Sequence, residues 1–484
     1  MSSRSVRGLR RPIGVTGLMG GPLGLSARFV VTVVALHAPS WLLAAVFQGP
    51  RADERPWFNL DLLLAGVLAC LSPIVGGVAL LVAWAADAIR LASKNYHFMS
   101  VMDFMDAARF VDMLNVSIFV TPSPVALVAV LAVCAWIVLR QSRVRRLWLP
   151  LVGFMVLCIG LDALNGSLHL FGMEKDSRLL HTNFAGSPSW NVWRAQRQAA
   201  VVAGAPAPMV PAVAHDALRA WHEAQPRGSS LLVLVESMGL PRDPGLREWL
   251  AERIDTRRMS QRWRVTAARE PFSGATTSGE LRTLCGLQAH YSRLDAQAAS
   301  RCLPRQLAAK GVRSIGLHGF GLRMFDRRDW WPRIGLLPWQ WPEDPAAAGL
   351  PMNCNHAFPG ICDRAVLSRA IEEAQEPSRL VYALTLDTHL PLAAPLEPMP
   401  PELKAACARA AAPASACQLM QRLGQVLDDL EQRLAASLTT PFVVIAGDHA
   451  PPFGEKDNRE VFESDEVPVI LMKPENAADR GRER

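Results

Sequence analysis

Four mostly apolar runs, Arg28 to Phe47, Leu60 to Trp84, Val116 to Leu139 and Leu147 to Leu164, constrain this chain more than any other feature in it. Each is near or above the ~18–20 residues a helix needs to cross a bilayer, where the backbone must bond to itself. No run of that length recurs after residue 170 of the 484. The chain therefore reads as a membrane-embedded N-terminal half followed by a water-facing C-terminal half. A cleaved signal peptide is disfavoured, because no small-residue cleavage site follows the first run and three more runs come after it.

Arginine sets the expected orientation. Arg4, Arg7, Arg10 and Arg11 precede the first run, and Arg140, Arg143, Arg145 and Arg146 fill the short loop before the last. Both segments are expected on the cytoplasmic side, so that the last span exports everything after it. Two cytoplasmic segments must be separated by an even number of crossings, yet three runs lie between them. A fifth span is therefore expected, either near Pro73, Gly76 and Gly77 or within Phe98 to Leu114.

The formal net charge of +7 does not point to nucleic acid, because the arginines of the first 150 residues serve topology and both signs are mixed in the second half. Cysteine usage fits an exported domain. Cys70, Cys134 and Cys158 lie in or beside the apolar runs, where cysteine packs as a small apolar residue. Cys285, Cys302, Cys354, Cys362, Cys407 and Cys417 all fall in the second half, an even set that implies disulfides in an oxidising compartment. Six cysteines allow 15 connectivities. Sequence-local pairing is the simplest: Cys285 with Cys302, Cys354 with Cys362, Cys407 with Cys417. Zinc-ribbon ligation is a poor rival, because there is no CxxC spacing.

The chemistry lies in residues 230 to 475. Phe442 to Ala446 is a short apolar run rich in β-branched residues between Pro441 and Gly447, read as a strand buried on both faces, and Asp448 and His449 follow it. Leu231 to Val235 reads as a second such strand, with Glu236 at its end. In an open α/β sheet the carboxyl ends of the strands line the ligand crevice, so two carboxylates and an imidazole there suggest a metal site. Between them, PFSGATTSGELRTLCGL at 271–287 runs from a Gly-rich turn into helical spacing at Glu280, Leu281, Leu284 and Leu287. A capping box would account for the hydroxyls. Alternatively, one hydroxyl at a helix N-terminus would meet an anionic phosphate and, beside a metal, act as a nucleophile. Thr277 is the first choice and Thr276 the second.

Together these residues resemble a family. Strand-end Glu236, a hydroxyl within GATTSGEL, an apolar strand running into LDTHLP with His389, and GDH with Asp448 and His449 resemble the sulfatase and alkaline phosphatase superfamily in its membrane-anchored phosphotransferase branch. They are most similar to lipoteichoic acid synthase-like phosphoglycerol transferases, with lipid A phosphoethanolamine transferases a little further away. The resemblance implies an α-helical multi-span membrane domain followed by an α/β domain with a mainly parallel central sheet. It implies one divalent metal, zinc or manganese, on Glu236, Thr277, Asp448 and His449, a phosphothreonine at Thr277, and His389 over the transferred phosphate. It places His318, which opens HGFGLRMFDRRDWW, with Phe325, Arg328 and Asp329 beside the substrate headgroup; Arg323, Arg327 and Arg328 suit a phosphate by their bidentate geometry, a solvated arginine face being the alternative. Asp326 replaces an expected tryptophan, which leaves the headgroup open. No histidine follows His449 in GDHAPPFGEKDNREVF, and the first of the cysteines that flank the nucleophile of the phosphoethanolamine branch is missing; both favour the phosphoglycerol type.

The expected organisation is a basic N-terminus over 1–27, a membrane domain over 28–165, a linker over 166–228, an exported catalytic domain over 229–475 and a disordered tail over 476–484. The expected partners are a phospholipid donor, an envelope glycan or lipid acceptor, and the membrane, with no nucleic acid. Two rivals stand beside the transferase: a sulfate or phosphate ester hydrolase on the same site, and a dead-site protein that binds envelope lipid. A formylglycine sulfatase is disfavoured, because Cys285 is followed by Gly286 and Leu287 and not by a CxPxR pattern.

Overall fold

The computed structural model describes residues 24–48, 56–95, 106–107, 109–115, 124–165, 167–168, 173–174, 183–194, 206–393, 398–453 and 455–475. The arginines at 4–11, the start of the expected span at 98–114 and the tail at 476–484 lie outside them. The chain forms two compact units, Met1–Asp87 with Val125–Ser189, and Ala88–Pro124 with Trp190–Arg484.

The first unit is built on five apolar helices: α1 (Leu25–Gln48), α2 (Leu60–Leu71), α3 (Pro73–Asn95), which runs on past its edge, α4 (Pro124–Gln141) and α5 (Trp148–Leu164). Among the described residues, three stretches are long and apolar enough to cross a membrane, Leu25–Ala45, Pro73–Leu91 and Arg145–Leu164, whereas α2 and the apolar part of α4 are shorter. The run at 60–84, expected as one span, is broken in two at Ser72 and Pro73. Proline tolerates the first position of a helix and lacks the N–H that would continue the one before it. The break is tight: a Cβ on Gly76 would lie 2.3 Å from the Ala69 Cα, so only glycine fits. Phe58–Asn59, between α1 and α2, pairs in parallel with Ala185–Gly186, beyond α5. Asp162 of α5 accepts the backbone N–H groups of Phe184 and Ala185 at 2.6 and 2.9 Å, which satisfies a buried carboxylate beside that pair.

The second unit is organised by a seven-stranded sheet. Its strands in chain order are β1 (Ser230–Val235), β2 (Trp263–Pro271), β3 (Arg313–His318), β4 (Leu337–Pro338), β5 (Arg379–Leu384), β6 (Phe442–Gly447) and β7 (Glu466–Pro474). Their spatial order is β4-β3-β5-β1-β6-β7-β2, parallel from β4 to β6 and antiparallel at β7 and β2. Every residue of β1 and β6 is buried. Leu231, Val233 and Val235 enter one apolar core with Val443 and Ile445, while Leu232 and Leu234 enter the other with Val444 and Ala446. That two-residue alternation with both faces covered is why the strands are continuous apolar runs.

The stretch expected as a linker carries structure of the second unit. Helix α6 (Val213–Ala224) buries Ala214, His215, Leu218 and His222, and Ala207–Pro208 pairs with Leu287–Gln288. Of the segment 98–114 only 106–107 and 109–114 are described: two helical residues, a turn and a short 3-10 helix (Val111–Met113), all grouped with the second unit. The three local disulfides form as the simplest pairing expects, Cys285–Cys302, Cys354–Cys362 and Cys407–Cys417.

Candidate active site

The carboxyl ends of β1, β6, β3 and β5 meet on one rim, with β1 at the centre where the connections diverge, the position at which α/β sheets bind ligands. The chain leaves β1 through Glu236 and Ser237. Ser237 is held at φ 55°, a left-handed conformation that costs an L residue about 1–3 kcal/mol and concentrates at functional sites. In that turn the Ser237 N–H donates to Asp448 Oδ1 at 2.8 Å and its hydroxyl donates to Glu236 Oε1 at 2.8 Å. Asp448 Oδ1 also accepts the His449 N–H at 2.7 Å. Gly447 permits the approach of the two turns, since a Cβ there would lie 2.0 Å from the Met238 carbonyl oxygen.

Ligand atoms of Glu236, Asp448 and His449 lie within 4.8 Å of one another, and all three residues are buried. His449 Nε2 is 3.2 Å from Asp448 Oδ2 and 3.6 Å from Glu236 Oε1. The other ring nitrogen, Nδ1, lies 2.9 Å from the Ala450 carbonyl, which fixes the proton there and turns the lone pair of Nε2 toward the carboxylates. Burial lowers the pKa of His449, against the charge of Glu236, which raises it. Burial and then the charge of Glu236 push Asp448 well above the carboxylate range. Burial also opposes ionisation of Glu236, but His449, His389 and the Ser237 hydroxyl outweigh it and hold that carboxyl below its usual value. Asp448 Oδ2 is buried with no hydrogen-bond partner. An orphaned carboxylate oxygen facing a lone pair and a second carboxylate is a donor set that fits a divalent cation. The other acidic cluster, Cys354, Cys362 and Asp387, does not fit one, because the two sulfurs are bonded to each other.

The hydroxyl at this cluster belongs to Thr276, not Thr277. Helix α7 (Thr276–Cys285) starts after Ala275, a cap residue that makes no side-chain cap, so the capping-box explanation of these hydroxyls does not hold. Thr276 Oγ1 donates to Glu236 Oε2 at 3.2 Å and lies 3.5 Å from His449 Nε2. Thr277 is buried one position on, turned about 100° around the helix. A Cβ on Gly279 would lie 3.1 Å from Asp448, so the helix rests directly on the ligand loop.

Arg282 fastens this arrangement and was not singled out by sequence. It is buried, donates from Nε to Glu270 at 2.8 Å, and donates from its two Nη atoms to the carbonyls of Asp448 and Gly447 at 3.1 and 2.5 Å. Glu270 is completed by the Ala214 N–H at 3.1 Å. A buried guanidinium with a carboxylate and two carbonyls is satisfied, and it ties the helix of Thr276 to the loop of Asp448.

His318 ends β3 on the same rim. Its Nδ1 lies 3.1 Å from the Leu384 carbonyl, and burial with the nearby Arg327 lowers its pKa to about 3, so it is a neutral imidazole. His389 follows β5; its Nδ1 is buried without a hydrogen-bond partner. Thr388 donates to the Glu236 carbonyl at 2.5 Å, which ties the loop of His389 to the turn of Glu236. The arginines differ from expectation. Arg327 is buried on Glu280, which also accepts from Trp331, so it is structural. Arg323 is half exposed and paired with Asp112, and Arg328 is exposed. A run of three arginines on a tight turn points in different directions, and none of the three is bonded to the Glu236, Asp448 and His449 cluster.

No protein-family model and no curated protein matches the chain. Among solved structures, it is similar to the lipoteichoic acid synthase LtaP from Listeria monocytogenes, with a TM-score of 0.33 and 11% identity over 51% of this chain and 65% of that one. It is likewise similar to a protein of the alkaline phosphatase superfamily from Vibrio parahaemolyticus, with a TM-score of 0.33 and 14% identity over 52% of this chain and 60% of that one. The match covers less than two thirds of the length of either.

Proposed function

We propose that this protein is a membrane-bound, metal-dependent phosphotransferase that moves a phospholipid headgroup, phosphoglycerol or phosphoethanolamine, onto an envelope glycan or lipid through a phosphothreonine. The observation that carries the reading is a hydroxyl at a helix N-terminus, bonded to one of two buried carboxylates that face a buried imidazole. Glu236, Asp448, His449 and Thr276 would hold the ion, zinc or manganese by its mixed oxygen and nitrogen donors. When bound, it supplies positive charge that acidifies the hydroxyl and neutralises the phosphoryl oxygens.

The chain's own groups do the rest. Thr276 Oγ1 forms the bond to phosphorus, and the bond from phosphorus to the diacylglycerol oxygen breaks. That oxygen leaves with a proton given by the His389 imidazole in its protonated form, while the hydroxyl proton, directed at Glu236 Oε2, passes to solvent water. In the second half the acceptor hydroxyl attacks phosphorus and gives its proton to His389, and the bond from phosphorus to the threonine oxygen breaks, that oxygen taking a proton back from solvent. Water as acceptor would give the hydrolase. The first-turn N–H groups of α7 favour the anionic phosphate, and alignment with charge stabilisation provides most of the rate.

Vesicles of phosphatidylglycerol and phosphatidylethanolamine labelled in the headgroup test this directly. Full-length protein with zinc or manganese should release diacylglycerol and pass the label to a co-purified envelope glycan or lipid. Release of the label into water alone would establish the hydrolase, and no turnover at all would leave a lipid-binding protein.

The topology proposed with this function is five crossings. On this topology α1 crosses outward, α2 and α3 make two crossings that turn at Ser72, α4 brings the arginines at 140–146 back to the side of Arg4, and α5 exports the residues that follow it. A reporter fused after Gln225 should be active only outside the cytoplasm, and one at Ser72 only inside. A cytoplasmic signal at Gln225 would sink the assignment.

A further inference from the structure

His389 is held by a loop that is itself held by residues 106–107 and 109–115 of the same unit. The Cys354–Cys362 bridge closes that loop. From within it, Asn355 Nδ2 donates to the His389 carbonyl at 2.8 Å and to the Leu386 carbonyl at 3.2 Å, while its Oδ1 accepts the Ala357 and Phe358 N–H groups at 2.9 and 3.1 Å. The Phe358 ring meets the His389 imidazole edge-on at 4.5 Å and the Phe320 ring at 5.4 Å.

The support behind this loop is the segment between α3 and α4. Phe110 is 3% exposed and forms one apolar cluster with Phe320, Met324, Ala357, Phe358 and Leu386. The Asn115 N–H donates to the Ala357 carbonyl at 3.0 Å. Polar contacts fix the segment on either side of Phe110: Asp106 accepts from Tyr291, Arg109 bridges Asp106 and Asp326 at 2.7 and 3.2 Å, and Asp112 pairs with Arg323. The exposed pairs of Arg109 with Asp326 and Arg323 with Asp112 contribute little each, so the buried Phe110 ring, the Asp106 bond to the buried Tyr291 and the backbone bond of Asn115 carry most of the docking.

We infer that Phe110 is a positioning residue: through Phe358 and the 354–362 loop, the segment between the third and fourth apolar helices sets the imidazole of His389 over the reaction site. The assignment rests on the role of His389 proposed above. A ring held only by an edge contact and by its own backbone can tilt when the packing behind it is lost, and a displacement on the order of 1 Å at a reacting group can cost about 100-fold in rate. The Arg323 pairing also gains a different meaning, since that arginine anchors the segment.

The test is a double-mutant cycle on the full-length protein in phosphatidylglycerol and phosphatidylethanolamine vesicles, read as diacylglycerol release. Phe110→Ala should lower kcat about tenfold with KM nearly unchanged, as expected when an aligned group is displaced without loss of binding. In a His389→Ala background the same change should cost less than about twofold, because the group it acts through is gone. Phe110→Leu should recover most of the loss. A purely structural role would cost the same factor in both backgrounds, and that result, or an unchanged kcat in Phe110→Ala, overturns the inference. If Phe110→Ala does not accumulate, Phe358→Leu is read by the same two comparisons. Full turnover in His389→Ala sinks the proposed role of that histidine and this inference with it, whereas a loss there without any in Phe110→Ala sinks this inference alone.

Discussion

Thr276→Ala should remove turnover by several orders of magnitude, toward the ~10⁶-fold seen when a residue that acts as part of a catalytic unit is deleted. Its hydroxyl is the one bonded to Glu236 and near His449, and alanine has no atom with which to form the bond to phosphorus. Thr277→Val, an isosteric change at a buried position, should keep turnover within about tenfold and cost about 1–2 kcal/mol of stability. Incubation of wild type with phosphatidylglycerol or phosphatidylethanolamine should leave a phosphate on the peptide spanning Gly274 to Arg282, placed on Thr276 by fragmentation mass spectrometry. The reverse pattern, an inactive Thr277→Val with phosphate on Thr277, would restore the nucleophile expected from sequence. No phosphopeptide with undiminished turnover in both variants would remove the covalent intermediate altogether.

Asp448→Asn should lower metal occupancy and activity together. The substitution is close to silent for the fold: Oδ1 of the new amide can still accept the Ser237 and His449 N–H groups now held at 2.8 and 2.7 Å. What changes is the other atom, where an amide NH2 replaces the orphaned Oδ2 and points a donor at the cation. Affinity should fall by more than the ~10–100-fold typical of losing a group that only supports a ligand. Elemental analysis of protein dialysed against graded zinc or manganese reads this, and Thr276→Ala in the same series should keep most of its metal, because two carboxylates and an imidazole remain. Wild-type metal content in Asp448→Asn would show that the buried cluster is not the metal site.

The strand ends were legible because an ionisable residue directly after a fully apolar run is costly unless something pairs it. Glu236, Asp448 and His449 stand out on that ground alone, and so does the pairing of local cysteines. The choice between Thr276 and Thr277 was not legible. Three hydroxyls follow one another, and which faces the ligands depends on the phase at which the helix starts, set by Gly274 at φ 76° and the extended Ala275. Strand β2 went unread because seven of its nine residues are exposed or half-exposed, Arg264 and Arg269 among the exposed, and it gains its place only by pairing with β7. Arg282 and Phe110 were invisible for a related reason: their partners lie far along the chain, and no local pattern announces a contact of that range. The break at Pro73 falls at one of the two places offered for an extra crossing; of the other, 98–114, the described residues group with the second unit, where Asp106, Arg109 and Asp112 find their partners.

The central strand of the sheet comes first in the catalytic unit and is enclosed last. β1 lies between β5 and β6, and the bond from Ser237 to Asp448 spans 211 positions. Contacts of such range are slow to close, since the chain loses its loop entropy before the contact returns anything. In chain order, therefore, Leu231 to Val235 come first, meet β5 only at residue 380 and β6 only at residue 442, so that one edge of this apolar strand stays open until almost the whole sheet has been made. The same geometry makes the buried cluster a late product of the chain: Glu236 and Thr276 are in place long before Asp448 and His449, so the three acidic and imidazole groups can meet only when the sheet is nearly complete.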